Sequence, residues 1–333
     1  MLARARAAMQ FVERSAFCWS CGVHLEVNLF RFRRFRMVIA VHIQIQPERA
    51  SREPGKISRE RTTKMKQQSK GMAVITGASS GIGAVYANRL ARRGYDLLLV
   101  ARNRERLEDL AKKLAADTGQ KVEILAADLT DSNDLAKVEQ ILHDDARITL
   151  LVNNAGMPST APLLNSDVAD VSRIIALNVE SLTRLTYAAV PAFVKRGSGT
   201  IINIGSVVGV APELLNGVYG GTKAFVLTFS QSLHHELTNK GVTVQVVLPG
   251  ATATDLWKKA GTPVEHLPQE IVMPVEDMVD AALAGLDQGE FVTIPAQPDA
   301  GQWQTYEAAR QAMMPNLSRT KPAARYGVVG ATA

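Results

Sequence analysis

Seven short apolar runs, separated by segments of helical period, limit this chain to few architectures. The runs are MAVIT, DLLLVA, VEILAA, TLLVNN, TIINIG, TVQVVLP and FVTIP, each bounded by Gly, Asn, Asp or Pro. Several are apolar at consecutive positions, the pattern of strands covered on both faces. Between them, stretches such as ERLEDLAKKLAADTG and SDVADVSRIIALNVESLTRLTYAAVPAFVKRG place apolar residues three and four apart, the helical spacing. Strand alternating with helix predicts an α/β fold, a three-layer, doubly wound sheet of about seven parallel strands. No Pro/Gly/Ser-rich linker interrupts the pattern, so residues 71–333 read as one domain. Ligands of such sheets bind at the carboxyl ends of the strands, and the polar motifs of this chain collect there.

Residues 1–70 are unlike the rest. Met1 to Lys64 holds 13 Lys+Arg against 5 Asp+Glu, whereas the remainder holds 25 against 27. The net charge of +6 therefore belongs to the extension, and the nearly neutral body lacks the basic, aromatic-laced stripe of a nucleic-acid binder. Three readings of the extension stay open: an Arg-rich targeting leader, an interaction arm, or upstream sequence ahead of a true start at Met65. Scarce serine and five glutamates argue against the leader, and poor order is expected throughout. The only cysteines, Cys18 and Cys21, have neither a second pair nor a βαβ context, so they read as neither a zinc nor a redox site. The histidines show no ligand spacing, and no metal is expected. No run of 18 apolar residues suggests a membrane span.

MAVITGASSGIGAVYANRLARRG reads as strand, turn and helix. Gly77, Gly81 and Gly83 lack the Cβ atoms that would keep a diphosphate from a helix N-terminus, and Ser79 and Ser80 add hydroxyl donors. The same stretch spells G-x-S-x-G, the nucleophile elbow of serine hydrolases. That reading needs strands before the elbow and a late histidine after a strand. Here the elbow follows the first strand, and His143, His234, His235 and His266 lie in helical or polar segments. After the second strand stands Arg102, with Arg104 nearby and no carboxylate. A guanidinium pairs with a 2′-phosphate, so NADP(H) is the expected cofactor, with NAD(H) as the alternative; a solvated arginine opening a helix is the plainer account.

The segment GVYGGTKAFVL places Tyr219 and Lys223 at i and i+4, on one helical face, with only small residues between. A phenol of ordinary pKa near 10 is a reluctant acid or base at neutral pH, and a neighbouring cation is expected to lower that value. With TGASSGIG, NNAG, Ser206 and YGGTK in this order, the chain from about Met72 onward resembles the classical short-chain dehydrogenase/reductase family. The resemblance implies a Rossmann-like fold, assembly as a homodimer or homotetramer, and NAD(P)-dependent interconversion of a carbonyl and an alcohol. It implies a catalytic tetrad of Asn178, Ser206, Tyr219 and Lys223. Tyr219 would act as general acid/base, Ser206 would donate to the substrate oxygen, Lys223 would bind the nicotinamide ribose, and Asn178 would hold a water leading to solvent. Asp128 would contact adenine, with Leu129 beside it. Asn153, Ala155 and Gly156 would lie by the cofactor ribose, while Pro249, Gly250, Thr252 and Thr254 would meet the nicotinamide end. Ile82 completes the phosphate turn.

Three segments are expected to wall the substrate pocket: MPSTAPLLNSD, VVGVAPELLNG and LWKKAGTPVEHLPQEIVM. Leu214, Leu215, Leu256 and Trp257 would make it mostly apolar, with Glu213 as a polar contact, although each residue has an equally simple account as packing. A small, mostly apolar ketone, aldehyde or alcohol is the expected substrate. Two other functions remain: reduction of a 3-oxoacyl thioester, and an NADPH-binding regulatory protein with weak turnover. The tail from Gly301 carries Trp303, Tyr306, Ala309 and Met313 at helical spacing, which predicts a helix against the body or a neighbouring subunit. Likeness to a bacterial branch of the family implies a cytoplasmic enzyme.

Overall fold

A computed structural model of the protein describes residues 69–328 apart from 216 and 260, together with three strands before residue 69. Those three, Phe11–Cys18 (β1), Val23–Phe30 (β2) and Ile39–Gln44 (β3), form an antiparallel sheet with β2 in the centre. Cys18 closes β1 opposite Val23. Met1–Met65 makes one compact unit and Lys66–Ala333 another. What was expected of the other residues before Ser69, including Cys21 and a start at Met65, lies outside the described residues.

The second unit alternates strand and helix. In order come β4 (Met72–Thr76), α1 (Gly81–Arg92), β5 (Asp96–Ala101), α2 (Arg104–Thr118), β6 (Val122–Ala126) and α3 (Ser132–Asp144). Then follow β7 (Ile148–Asn153), α4 (Val168–Ile175), α5 (Leu182–Arg196), β8 (Gly199–Ile204), α6 (Gly217–Leu237) and β9 (Val242–Val247). The chain closes with α7 (Leu256–Lys259), α8 (Val275–Asp287), β10 (Val292–Thr293) and α9 (Ala300–Ala312). The strands form one seven-stranded sheet in the order β10-β9-β8-β7-β4-β5-β6, every pair parallel. This is the expected doubly wound sheet.

Both faces are covered, which is why the strands are apolar at consecutive positions. Successive strand residues point to opposite faces. Ala73 and Ile75 of β4 enter a core with Tyr86 and Leu90 of α1 and Met278 of α8. Met72 and Val74 enter a second core with Val138 of α3, Phe193 of α5 and Leu233 of α6. After β6 the chain crosses to the other side of β4 and resumes at β7, so β4 and β7 are adjacent. Strand order reverses there, and a crevice opens beyond the carboxyl ends.

Two departures from the sequence reading matter. The long segment expected as one helix contains a π-helical turn, Ala176–Ser181, between α4 and α5. Such turns insert an extra residue and recur at functional sites; this one holds Asn178, buried. The apolar stripe of α9 also packs less fully than its spacing predicts. Trp303 packs against the cluster of Val226, Leu227 and Val246, but Tyr306 and Met313 remain exposed. Among the described residues, no helix is long and apolar enough to cross a membrane, and no group of His, Cys, Asp or Glu could hold a metal.

Candidate active site

The glycine turn is fitted to its neighbours at atomic contact. Gly77 and Gly81 have φ of 66° and 55°, values that side chains disfavour. A Cβ on Gly83 would lie 2.4 Å from the Gly77 carbonyl oxygen and 2.5 Å from Asn154 Nδ2. That crowding follows from a stitch between β4 and β7. Asn154 Nδ2 donates to the carbonyls of Thr76 (2.8 Å) and Gly77 (3.2 Å), while Asn154 and Ala155 N–H both donate to Thr76 Oγ1 at 3.0 Å. Thr76 Oγ1 in turn donates to the Val152 carbonyl. Sequence reasoning missed Thr76 and Asn154; their signal was a threonine just before the first glycine and the second asparagine of NNAG.

Helix α1 starts differently from the other capped helices. Asn103, Asp131, Asp167 and Asp299 cap α2, α3, α4 and α9 with their side chains. Ser80 at the start of α1 makes no such bond, and the first turn of α1 holds no acid. The leading N–H groups of a helix attract anions, so this start, beside glycines that admit close approach, fits a dinucleotide phosphate. Ser79 and Ile82 flank it, both half-buried. On the opposite side Thr254 leans on the turn: its Cγ2 would be 3.1 Å from a Cβ on Gly81. Thr254 thus reaches the phosphate turn, although the resemblance placed it at the nicotinamide end.

Arg102 follows β5 directly and is exposed, its Nη1 3.8 Å from Asp128 Oδ2. Burial acts to raise the Asp128 pKa, but hydrogen bonds from Thr130 and the Arg102 charge outweigh it and hold the carboxyl below its ordinary range. Leu129 is core, so only its backbone can face a ligand. The same holds for Asn153. Its side chain turns inward, donating to Thr186 Oγ1 and Asn203 Oδ1 at 3.0 Å each, and it cannot reach a ribose. A buried ladder continues from Asn203 Nδ2 to Ser230 Oγ on α6.

The tetrad residues come together from three elements: the π-helical turn, the turn after β8 and helix α6. Ser206 follows β8 in extended backbone, and its Oγ donates to the Pro249 carbonyl (3.3 Å), which also accepts from Val207 N–H at 3.0 Å. Gly209 lets this turn lie on α6, since a Cβ there would be 2.8 Å from the Lys223 carbonyl oxygen. Ser206 and Tyr219 are hydrogen-bonded through their side chains. Lys223 Nζ donates to the Ile204 carbonyl (2.9 Å) and lies 5.7 Å from the Tyr219 ring centre. Asn178 accepts from Met157 N–H (2.8 Å) and donates to the Met157 carbonyl (2.9 Å) and Thr222 Oγ1 (3.1 Å). Both its N–H groups are engaged, which leaves one lone pair for a water. A Cβ on Gly156 would sit 3.3 Å from Asn178 Oδ1 and 3.7 Å from Lys223 Nζ, so this glycine keeps open the space between them.

Electrostatics correct the sequence reading at Tyr219. Burial pushes its hydroxyl up to about 12, and the Ser206 hydrogen bond pulls the other way. Lys223, expected to lower that value, is itself buried and brought down to about 8. An amine that loses its proton near 8 offers no positive charge at the pH where the phenol ionises, which is why the expected lowering does not arise.

The turn after β9 runs through Pro249, Gly250 and Thr252. Gly250 faces open space, and buried Thr252 donates to the Gly250 carbonyl. Thr252 pairs with Met273 across a neck, closed by Ala253 N–H to the Met273 carbonyl and Met273 N–H to the Ala251 carbonyl, both 2.9 Å. Beyond that neck lie α7 and two short 3-10 turns. Trp257 is half-buried, its indole N–H donating to the Thr252 carbonyl at 3.0 Å. Leu256 and Leu215 are half-buried, whereas Leu214 and Glu213 are exposed.

A family model described as short chain dehydrogenase matches residues 71–265. Among curated proteins, a very-long-chain 3-oxoacyl-CoA reductase from Anas platyrhynchos is 35% identical over 190 residues, which are 56% of this chain and 61% of that protein. The chain thus spans about three fifths of the length of that relative. Among solved structures, a short-chain dehydrogenase from Sphingobium yanoikuyae in complex with NADPH is 50% identical with a TM-score of 0.75, covering 77% of this chain and 99% of the other. A bulky-bulky ketone specific alcohol dehydrogenase from Comamonas testosteroni is 45% identical with a TM-score of 0.71, covering 77% and 98%.

Proposed function

The chain belongs to the short-chain dehydrogenase family, and on that premise we propose that residues 71–333 are one NADP(H)-dependent catalytic domain interconverting a ketone or aldehyde with an alcohol. The observation that carries this reading is the Tyr219 hydroxyl, hydrogen-bonded to Ser206 on the helix that also buries Lys223. When bound, the nicotinamide supplies or accepts the hydride. This chain's residues handle the proton and the charge. With its pKa pushed up to about 12, Tyr219 is protonated at neutral pH and can donate to a carbonyl oxygen. Ser206, half-buried, turns its one hydroxyl proton from the Pro249 carbonyl to the same oxygen as negative charge grows there. Lys223, at about 8, gains or loses a proton close to working pH and serves as the relay behind Tyr219. Asn178 fixes the Met157 loop beside it.

The cofactor residues we propose are Gly77, Ser79, Ser80, Gly81, Ile82 and Gly83 at the phosphates, and Arg102 at the 2′-phosphate. Asp128 and Leu129 would lie at adenine; Asn153 (through its backbone), Ala155, Gly156 and Lys223 at the ribose; and Pro249, Gly250, Thr252 and Thr254 along the far wall. An NADPH-bound relative at 50% identity and an exposed Arg102 support the choice of NADP(H). Cytoplasmic residence and assembly as a homodimer or homotetramer are carried over from the family resemblance alone.

Tyr219→Phe tests the assignment. Carbonyl reduction is expected to fall roughly 100- to 10,000-fold, with NADPH binding measured by fluorescence unchanged; undiminished reduction would refute it. A 3-oxoacyl-thioester reductase is the second reading, favoured by the name of the Anas platyrhynchos relative. Comparing kcat/KM for a 3-oxoacyl thioester and a simple ketone separates the two.

A further inference from the structure

Exposed large apolar side chains are unevenly distributed over the carboxyl edge of the sheet. The loops after β4, β5 and β6, on the half assigned to the dinucleotide, expose none among the described residues. The loops after β7, β8 and β9 expose Leu163 (79%), Leu164 (94%), Leu214 (63%) and Ile271 (57%), with Val168 at the start of α4. Hydrophobic side chains scattered singly over a surface need no explanation, but a group on one rim does.

Leu163 and Leu164 are displayed by a turn that is already complete. Asn165 N–H donates to the Pro162 carbonyl (2.9 Å) and Ser166 N–H to the Leu163 carbonyl (3.3 Å). Ser166 Oγ donates to the carbonyls of Ala161 (3.2 Å) and Pro162 (2.9 Å). The turn is closed without either leucine side chain, so their outward direction is set by the turn and is not a failure to pack. The loop also begins at the site: Met157, six residues before Leu163, is clamped by Asn178 through two hydrogen bonds. The turn carrying Leu214 rests on α6 near Tyr219, where a Cβ on Gly220 would be 3.4 Å from Pro212 Cβ. The apolar rim is therefore continuous in the chain with the tetrad on two sides.

We propose that Leu163 and Leu164, together with Leu214, are specificity-determining residues for a carbonyl substrate with an extended apolar substituent lying on this rim. This deepens the dehydrogenase reading and rests on it. It also revises the small substrate expected from the sequence: the reacting carbon sits at Tyr219, while most of the substrate's apolar surface is outside the tetrad.

The test compares octanophenone with acetophenone, which share an aryl ketone and differ in one long alkyl arm, using NADPH and the full chain. Wild type is expected to prefer octanophenone. Leu163→Ser/Leu164→Ser is expected to lower kcat/KM for octanophenone roughly 10- to 100-fold, mainly through KM, as for loss of one to two buried leucine contacts. Acetophenone turnover should change by less than about twofold, since neither side chain reaches the tetrad. Both leucines are exposed, so the substitution removes no core contact. Equal loss on the two ketones, or no loss on either, overturns the proposal and leaves the enzyme reading intact. Dissociation of an oligomer by the variant in sedimentation would overturn it too, by assigning the rim to a second copy. If wild type reduces neither ketone nor any other carbonyl, it is the dehydrogenase reading that fails.

Discussion

Replacing Lys223 by methionine is expected to make the cofactor-free protein more stable at neutral pH while removing its activity. Lys223 is 6% exposed, and its Nζ donates to the Ile204 carbonyl. Burial brings its pKa from 10.5 to about 8, a gap worth about 3 kcal/mol of unfavourable charge burial. Between pH 8 and 10.5 the folded chain binds fewer protons at this site than the unfolded chain, so wild-type stability rises with pH. Below pH 8 both states are protonated and the penalty is constant. Methionine keeps most of the side-chain length without the charge, but gives up the bond to Ile204, worth about 1 kcal/mol. The net gain is about 2 kcal/mol at pH 7, or roughly 4–8 °C in Tm for a unit of this size, vanishing or reversing near pH 10. Urea denaturation of both proteins at pH 7, 8.5 and 10 reads this directly. Tyr219, whose raised pKa lowers stability only as pH climbs above 10, stays silent in that range. A Lys223→Met variant less stable than wild type at pH 7, or a difference that does not change with pH, would refute the argument.

Arg102→Ala is expected to raise KM for NADPH roughly tenfold or more, the value of a lost charge-assisted bond, and to leave NADH kinetics nearly unchanged. Parallel initial-rate titrations with the two cofactors check it, and equal effects would remove Arg102 from the 2′-phosphate. Gly83→Ala puts a methyl 2.4 Å from the Gly77 carbonyl oxygen, and overpacking of this kind costs about 1–3 kcal/mol. Reduced stability together with lost NADPH binding, by denaturation and calorimetry, is the expected outcome; a fully stable variant with intact binding would contradict the geometry. Thr76→Val removes the hydroxyl that accepts from Asn154 and Ala155 N–H, and a stability loss of about 1–3 kcal/mol, read by urea denaturation, follows from two half-buried donors left unpaired.

Strand positions were legible because this sheet buries both faces, so each strand is a run with few interruptions, and the glycine turn announced itself between β4 and α1. The proximity of Tyr219 and Lys223 was legible because residues four apart share one helical face, and the place of Ser206 because it directly follows the run TIINIG. What the sequence did not disclose was direction. Asn153 and Asn154 are adjacent and chemically identical, yet one faces the interior ladder and the other grips the glycine turn. A residue at the end of a strand points to one face or the other according to register, and no composition rule sets that for two polar neighbours. The Tyr219 pKa was misjudged for a related reason: the i, i+4 spacing gives proximity, but the burial that suppresses the Lys223 charge comes from α6 being pressed onto β8 and the turn after it. The π-helical turn was hidden because one extra residue in a long apolar period barely disturbs the pattern.

The reversal of strand order between β4 and β7 divides the cleft into two separately encoded territories. On the assignment proposed above, the glycine turn, Arg102 and Asp128 are written before residue 132, while Ser206, Tyr219, Lys223 and the apolar rim are written after residue 152. Exchange of the second stretch between relatives would on that assignment retune what is reduced while keeping the adenine and 2′-phosphate contacts that choose between the two dinucleotides.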